Sequence, residues 1–424
     1  MRKVNMFKLL LLSAITLTTF SNSFAQLRNN SPYSRFGIGD IYNNESGISR
    51  MMGGISYGLQ SPFIINSKNP ASVAAMDSGS FLFDAGYSGN LTRTSSALSK
   101  SNSNYFNLDY IKVAFPVTNW WRASLGLSPY SNVGYNVLTH DYVDSIGNIE
   151  YSYLGDGGLN RFSWINAFKI GKNLSLGINS SYIFGNINYK RVSYLPDNIN
   201  AYSFRITNST HAKGLYFDLG LQYTDTFGVS KKYSYTFGTV FSNNQSISGS
   251  SRILAETYLD ASTGYQYVKD TIQNINSGEG KINLPMYFGA GFVFNKLNKW
   301  SLGADFTYKN WQNYSAFNSN DSFRNSLNLN LGASYKINET YLRLGIRYFD
   351  SYLALNGNKI NNLGISFGSS IPLRQNSLTF SYLNVGVEIG QMGTTANGLL
   401  RQDYIKLFLG LTIKNNWFSK LKYQ

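Results

Sequence analysis

The sequence predicts an all-β chain: a transmembrane antiparallel β-barrel of about 14 strands with an N-terminal hatch or plug segment. Three observations carry this expectation. Apolar residues recur at every second position over segments of roughly ten residues. Short and long connections alternate along the chain. Aromatics make up 16% of the 424 residues, with 32 Tyr and 28 Phe beside 39 Gly, while charged residues reach only 14%, against roughly 25% in ordinary soluble proteins. A wall with one face in lipid and one in water has this composition.

The alternation is cleanest in SLNLNLGASYKINETYLRLGIRYF (326–349). Leu327, Leu329, Leu331, Ala333, Tyr335 and Ile337 share one face, and Leu342, Leu344, Ile346 and Tyr348 resume it after a polar break. In the last strand, Ile405, Leu407, Leu409, Leu411 and Ile413 face one side, and Lys406, Phe408, Gly410 and Thr412 the other. A slip of one residue would invert every side chain, so the pattern specifies the pairing. It predicts strands at 81–91, 104–115, 121–130, 161–170, 174–190, 213–223, 233–245, 285–294, 300–311, 325–337, 341–350, 363–371, 380–389 and 404–413. Apolar parity switches around Tyr382-Leu383, which predicts a bulge there.

Connections after even-numbered strands are short, as at Gly171–Asn173 and Asn338–Thr340, and those after odd-numbered strands are longer, as at 131–160 and 246–284. In a bacterial barrel the short turns face the periplasm and the long loops the exterior. The apolar face then meets hydrocarbon, where a sheet must close on itself to pair its backbone groups. A soluble sandwich or propeller is the rival reading; the leader and the loop asymmetry oppose it.

That leader is residues 1–25. Arg2, Lys3 and Lys8 precede the apolar run Leu9–Phe20, and Ser23-Phe24-Ala25 supplies small residues for cleavage before Gln26, as in a secretory signal. The run is short of the ~20 residues of a membrane span. Cys is absent, which removes disulfides and thiolate chemistry. The formal charge of +15 is scattered, with no basic run longer than two; it points to anionic lipid head groups or lipopolysaccharide and away from nucleic acid.

Residues 26–80 carry no spanning register. They contain SPYSRFGIGD (31–40), MMGGISYGL (51–59) and INSKNPASVAAMD (65–77). Fourteen strands enclose more space than wall side chains fill, so this segment is expected in the lumen; a periplasmic or disordered leader to the barrel is the alternative. The barrel is expected over 81–413, with a periplasmic tail at 414–424.

INSKNPASVAAMD resembles the Asn-Pro-Ala element in the hatch of FadL-type outer-membrane transporters of long-chain fatty acids and hydrocarbons. LPMYFGAGFVFNKLNKWSLGADFTYKNW (284–311) is similar to a recurring hairpin of that family, and GTTANGLLRQDYIKLFLGLTIKNNWF (393–418) to its closing hairpin. The resemblance implies a hatch-blocked barrel in the bacterial outer membrane. It implies hydrophobic ligands held near the hatch and released sideways through a wall defect. Asn69, Pro70 and Ala71 are the positions it marks as hatch or ligand-binding. An ordinary helix start with Pro in its first turn fits the same residues.

On the predicted register Arg343, Arg347, Lys336, Asp305 and Asp218 point inward. They are expected to anchor the plug, or, for Arg343 and Arg347, to meet a ligand carboxylate. Trp300, Trp311 and Trp417 are expected in an interfacial girdle. His140 and His211 fall in predicted outer loops without a nucleophile motif, and neither phosphate-loop nor metal spacing is present. No cofactor and no enzymatic activity are expected. The resemblance therefore implies passive transport of hydrophobic small molecules. The alternative is a non-transporting barrel serving an envelope secretion or assembly complex, with its long loops as partner surfaces.

Overall fold

The computed structural model describes residues 29–198, 201–260, 266–317, 322–375 and 379–416. The expected leader, Trp417 and residues 417–424 of the expected tail lie outside the described residues. Fourteen strands form the wall: β1 Ser80–Ser95, β2 Lys100–Pro116, β3 Trp121–Asn132, β4 Gly147–Ile170, β5 Leu174–Tyr194, β6 Ser203–Phe227, β7 Tyr233–Ser242, β8 Tyr287–Lys296, β9 Trp300–Lys309, β10 Ser326–Ile337, β11 Thr340–Leu355, β12 Asn358–Gln375, β13 Thr379–Gly393 and β14 Arg401–Asn416. Each pairs antiparallel with its neighbours, and β14 returns to β1 from Arg401↔Ser95 to Asn416↔Ser80. The ring is closed.

The register is the expected one. Leu329, Leu331, Tyr335, Leu342, Leu344, Ile346, Leu407 and Leu409 are exposed on the outer face, while Asn328, Asn330, Ser334, Arg343, Phe408 and Thr412 are buried inside. Outer-face aromatics cluster at the short-turn end, where Phe227, Tyr233, Phe294 and Trp300 contact one another, as do Trp120, Trp121 and Phe168. This is a girdle at the lipid–water boundary.

Four expectations need correction. Most of the segments expected as long loops are strand. β4, β5 and β6 run for 24, 21 and 25 residues, about twice the 9–11 that cross a bilayer. Their outer halves join Tyr135–Val143, Gln245–Asp260 and Gln266–Leu284 in a six-stranded sheet above the barrel. The connection from β11 to β12 shrinks to Asn356-Gly357, both at positive φ (48° and 77°), a tight hairpin turn. Trp311 is no girdle residue; it is 2% exposed, inside the long-loop mouth. Tyr382 causes no parity switch, because it faces the lumen with Asn384 and Glu388; the irregularity sits across from it, between Pro372 and Arg374 of β12. Finally, β14 continues to Asn416, three residues past the expected end of the barrel at 413, because Lys414 still pairs with Leu82 and Phe380.

Leu331 lies mid-strand and is 58% exposed on the lipid face. Leu331→Arg is predicted to destabilise the barrel in lipid vesicles by about 2–4 kcal/mol, measured by reversible denaturant unfolding. Ile337→Arg, at the short-turn end of the same face, is predicted to cost far less.

Candidate functional site

Residues 29–79 fill the interior. Ser31 donates its N–H to Gly134 O (2.8 Å) and its hydroxyl to Gln402 (2.9 Å) at the long-loop end. At the other end Arg122 Nε donates to Met76 O (3.0 Å), and Lys414 pairs with Asp77. The segment therefore crosses the lumen from the long-loop mouth to the short-turn rim and enters β1 there.

Its backbone can lie against the wall because the wall is glycine where they meet. A Cβ on Gly345 would sit 1.9 Å from Gly53 N, one on Gly238 1.8 Å from Tyr57 O, and one on Gly177 2.2 Å from Ala71 N. Gly332 would meet Met52 O at 2.4 Å, and Gly368 the Met51 side chain. Several of these glycines are direct cross-strand partners: Gly177↔Gly220, Gly238↔Gly291, Gly303↔Gly332 and Gly332↔Gly345. Together they form a belt of bare backbone around the inner wall. On the plug side, Gly53 and Gly54 turn the chain at φ +68° and +90°, a conformation that suits glycine. A Cβ on Gly53 would strike Leu331 O (2.6 Å) and Ile346 O (2.7 Å).

Polar bonds fix the plug at several depths. Asp305 accepts from the N–H groups of Ser56 (2.6 Å) and Tyr57 (3.0 Å), and Tyr57 OH contacts Thr307 Oγ1 (2.8 Å). Arg347 donates to Glu45 (2.6 Å) and to Gly53 O (3.3 Å), and lies 3.9 Å from Glu388. Lys68 reaches the other oxygen of Glu45 at 3.4 Å. Arg50, on the short helix Gly47–Met51, pairs with Asp109 of β2 at 2.5 Å, between the rings of Tyr42 and Phe408. Burial and hydrogen bonding in a low-dielectric interior make such charges costly to leave alone.

Of the residues marked in the sequence, Asp305 and Arg347 thus bind the plug. Asp218 instead joins wall residues: it accepts from Asn179 (3.0 Å) and Tyr287 (2.8 Å), with Arg161 at 4.0 Å. Arg343 bonds Ser370 and lies over Tyr341. Lys336 pairs with Glu339 (3.0 Å) at the short turn. Asn69 caps the 3₁₀ turn Pro70–Ala75: its Oδ1 accepts from Ala71 N (3.1 Å), and Pro70 occupies the first helical position. Asn69 Nδ2 donates to Tyr57 O at 2.7 Å. Asn69, Pro70 and Ala71 are buried against the glycine belt and none lines the cavity described next. His140 and His211 lie in different strands, facing Glu150 and Asn186.

The space left above the plug is a cavity of about 290 Å³. Asp40, Glu45, Arg50, Lys68, Asp109 and Lys309 face it, among several tyrosines. Tyr42 OH, Asn44 Nδ2, Asn90 Oδ1 and Arg161 Nε are buried without a protein partner among the described residues, and all four residues border the cavity. Orphaned polar atoms around a space of this size offer ordered water its hydrogen-bond partners. Burial pushes the Asp40 carboxyl up to about 6, opposed by a hydrogen bond from Asn29 and the charge of Lys406. Burial likewise raises the Tyr33 hydroxyl at the long-loop end.

The mouth is shut. Trp311 stacks on Tyr352 with ring centroids 4.1 Å apart, and Phe323 meets both edge-on. This aromatic lid rests on the plug, with Tyr352 OH donating to Gly39 O at 3.2 Å. Ile38 and Tyr33 of the plug share the same apolar cluster. At the short-turn end Val73, Ala74 and Met76 pack on Leu82, Ala114, Ile165 and Ala167.

The wall has a break at the side. β2 and β3 share only six residue pairs, from Ile111↔Leu127 to Pro116↔Arg122, whereas β4 and β5 share an unbroken ladder from Glu150 to Ile170. Two local causes coincide. β2 shifts register against β1 at Gly86/Tyr87, and β3 shifts against β4 between Pro129 and Ser131; bulges bend strands, and Pro offers no ladder donor. Above the break the plug itself pairs with β3, Asp40↔Asn132 and Ile41↔Ser131, with Tyr42 N donating to Tyr130 O at 2.9 Å. Residues on both sides of the break, Asn107 and Pro129 among them, border the cavity.

The sequence profile of the BamG family matches residues 6–424. No curated protein matches in sequence. Among solved structures, the toluene transporter TodX of P. putida aligns with TM-score 0.61 at 14% identity, covering 89% of this chain and 100% of its own. The toluene transporter TbuX of Ralstonia pickettii aligns at 0.59 and 13% identity, covering 88% and 99%. A FadL homologue of Pseudomonas aeruginosa aligns at 0.58 and 12% identity, covering 89% and 99%. At these identities the likeness is one of fold.

Two predictions follow from the plug's bonds. Glu45→Gln and Arg347→Met are each predicted to lower unfolding stability by about 3–5 kcal/mol, since each strands a buried partner; the double variant is predicted to cost clearly less than their sum in a double-mutant cycle. The Asp40 carboxyl binds its proton more tightly folded than unfolded, so its contribution to stability falls as pH rises from about 4 through about 6. Asp40→Asn is therefore predicted to raise the melting temperature at pH 7.5 and to leave it nearly unchanged at pH 3.5.

Proposed function

The chain belongs to the BamG family, and from that premise we propose that it is a plugged, non-conducting barrel of the bacterial outer membrane that serves as a subunit in envelope assembly. One observation carries the reading: the lumen is occupied from mouth to rim by a segment bonded at several depths. Removing that segment would break buried ion pairs and lift backbone off bare backbone. A conduit that must open and shut is poorly served by such a lock. The space that remains is bordered by charged side chains and orphaned polar atoms, which offer partners to structural water.

The material outside the bilayer supports a partner role. The six-stranded sheet continues above the strands that cross the bilayer, and one of its edge strands, Gln266–Leu284, is exposed over most of its length. In this reading the chain is no enzyme and takes no cofactor. Its apolar band meets membrane lipid, and lipopolysaccharide on the outer side.

A second reading rests on the break between β2 and β3. A gap beside an internal cavity is a route by which small hydrophobic molecules, long-chain fatty acids or the like, could pass between lumen and bilayer. The structural likeness to proteins described as toluene transporters makes this worth testing. Uptake of labelled oleate and labelled toluene by cells with and without the gene separates the two readings. The first predicts equal uptake and co-extraction of the chain with other outer-membrane proteins in mild detergent. A several-fold loss of uptake in the deletion strain, with the purified chain running alone, would reverse the order.

A further inference from the structure

We infer that the edge of β2 at Lys100–Phe106 is a docking site for a transmembrane β-strand of a second barrel protein. The inference rests on the subunit reading and gives it a contact surface.

The edge comes from the short β2–β3 ladder. Above Ile111, β2 keeps its pairing with β1, from Tyr110↔Gly86 up to Lys100↔Ser95, but the ladder with β3 has stopped. Among the described residues, one side of the strand is left without a strand neighbour over Lys100–Phe106. These seven residues span about 24 Å, the length of an ordinary strand–strand contact.

Depth makes this edge unusual. Phe106 and Leu108 are 57% and 40% exposed on the outer face, beside Leu91 of β1 at 49%. These are lipid-facing side chains, so the lower part of the edge lies at bilayer depth. Hydrocarbon cannot satisfy backbone N–H and C=O groups. An acyl chain in the gap would leave them as they are; an extended backbone supplies alternating donors and acceptors at the spacing required.

The opposite side of the break shows that strand addition works here. β3 has lost the same ladder, and its edge is completed by the plug's Asp40–Ile41. A two-residue segment has already docked on one lip. The other lip is longer and receives no strand from the described residues.

The residue types agree. Edges that must stay single carry charges or proline. One outer edge of the extramembrane sheet does: Gln266–Leu284 includes Lys269, Asp270, Glu279 and Lys281; the other, Tyr135–Val143, carries only Asp141 beside His140. The β2 edge reads KSNSNYF, with one charge, at its far end. Its small polar residues and two aromatics offer a strand-forming surface without a guard.

The test uses the full-length chain in its own membrane. A photo-crosslinking residue is placed at Asn104 or at Phe106, and for comparison at Leu344, which is equally lipid-facing but lies on a strand paired on both sides. Adducts are mapped by mass spectrometry. Adducts from 104 and 106, but not 344, that fall within one transmembrane strand of another β-barrel are the expected result. Placing charges on the edge (Asn102→Lys with Asn104→Glu) is expected to cut co-extraction of that barrel at least tenfold while the chain keeps its heat-modifiable, folded mobility. Adducts confined to lipid, or to plug residues 38–44 of the same chain, would overturn the inference. So would a complex that survives the charged edge, which leaves the subunit reading standing. If the wild-type chain co-extracts with no second barrel and gives no protein adduct, both fall together.

Discussion

A peptide group inside hydrocarbon has only other peptide groups to bond. Nearly everything in this molecule follows from that requirement. It forces the strands into a ring, since an open sheet would leave two rows of donors and acceptors in lipid. The ring then creates a lumen that its own side chains do not fill. The N-terminal segment fills it, and brings its own backbone groups to be satisfied. The solution is to press backbone against backbone. Asp305 takes two plug N–H groups and Ser366 takes the N–H of Gly53, while the paired glycines leave room for the approach.

Much of the wall was legible in the sequence because its rule is simple. Period-two alternation follows from strand geometry, and one slip would send Leu329 inward and Asn330 into lipid. All fourteen wall strands lie where that rule puts them. The same rule says nothing once both faces are wet. The outer halves of β4–β6 are Tyr-, Ser- and Asn-rich, so they looked like loop although their backbones pair as strand. Trp311 looked interfacial because it closes an alternating segment; the chain turns inward at Asn310, and the ring goes with it. Around Tyr382 an inward-facing aromatic mimicked a change of parity, which hid the true bulge on the neighbouring strand.

The interior was readable only in part. Inward positions could be assigned, so Asp305 and Arg347 stood out as candidate anchors. Their partners could not, because Glu45, Ser56 and Tyr57 sit in a segment without periodicity. Asn69-Pro70-Ala71 could be read as a capped turn, but not as a turn seated on Gly177 and Gly220. One signal for it lies in the wall. Glycines recur at inward positions of successive strands, at 177, 220, 238, 291, 303, 332, 345, 368 and 386. An inner wall of side chains has no use for so many; a wall that must accept another backbone does. The tension between a locked lumen and an unfinished wall also emerges only in three dimensions, since two small register shifts, far apart in the chain, create it.

The foot of the plug has a mechanical role that its position in the lumen hides. Met76 is held by Arg122 of β3, Asp77 by Lys414 of β14, and Ser80 opens β1 opposite Asn416. The first and last staves of the cylinder are therefore stapled together by the root of its stopper. Prising the seam apart would tear out that staple, and drawing the stopper would loosen the seam. Uncorking the vessel and splitting it therefore draw, in this chain, on the same contacts.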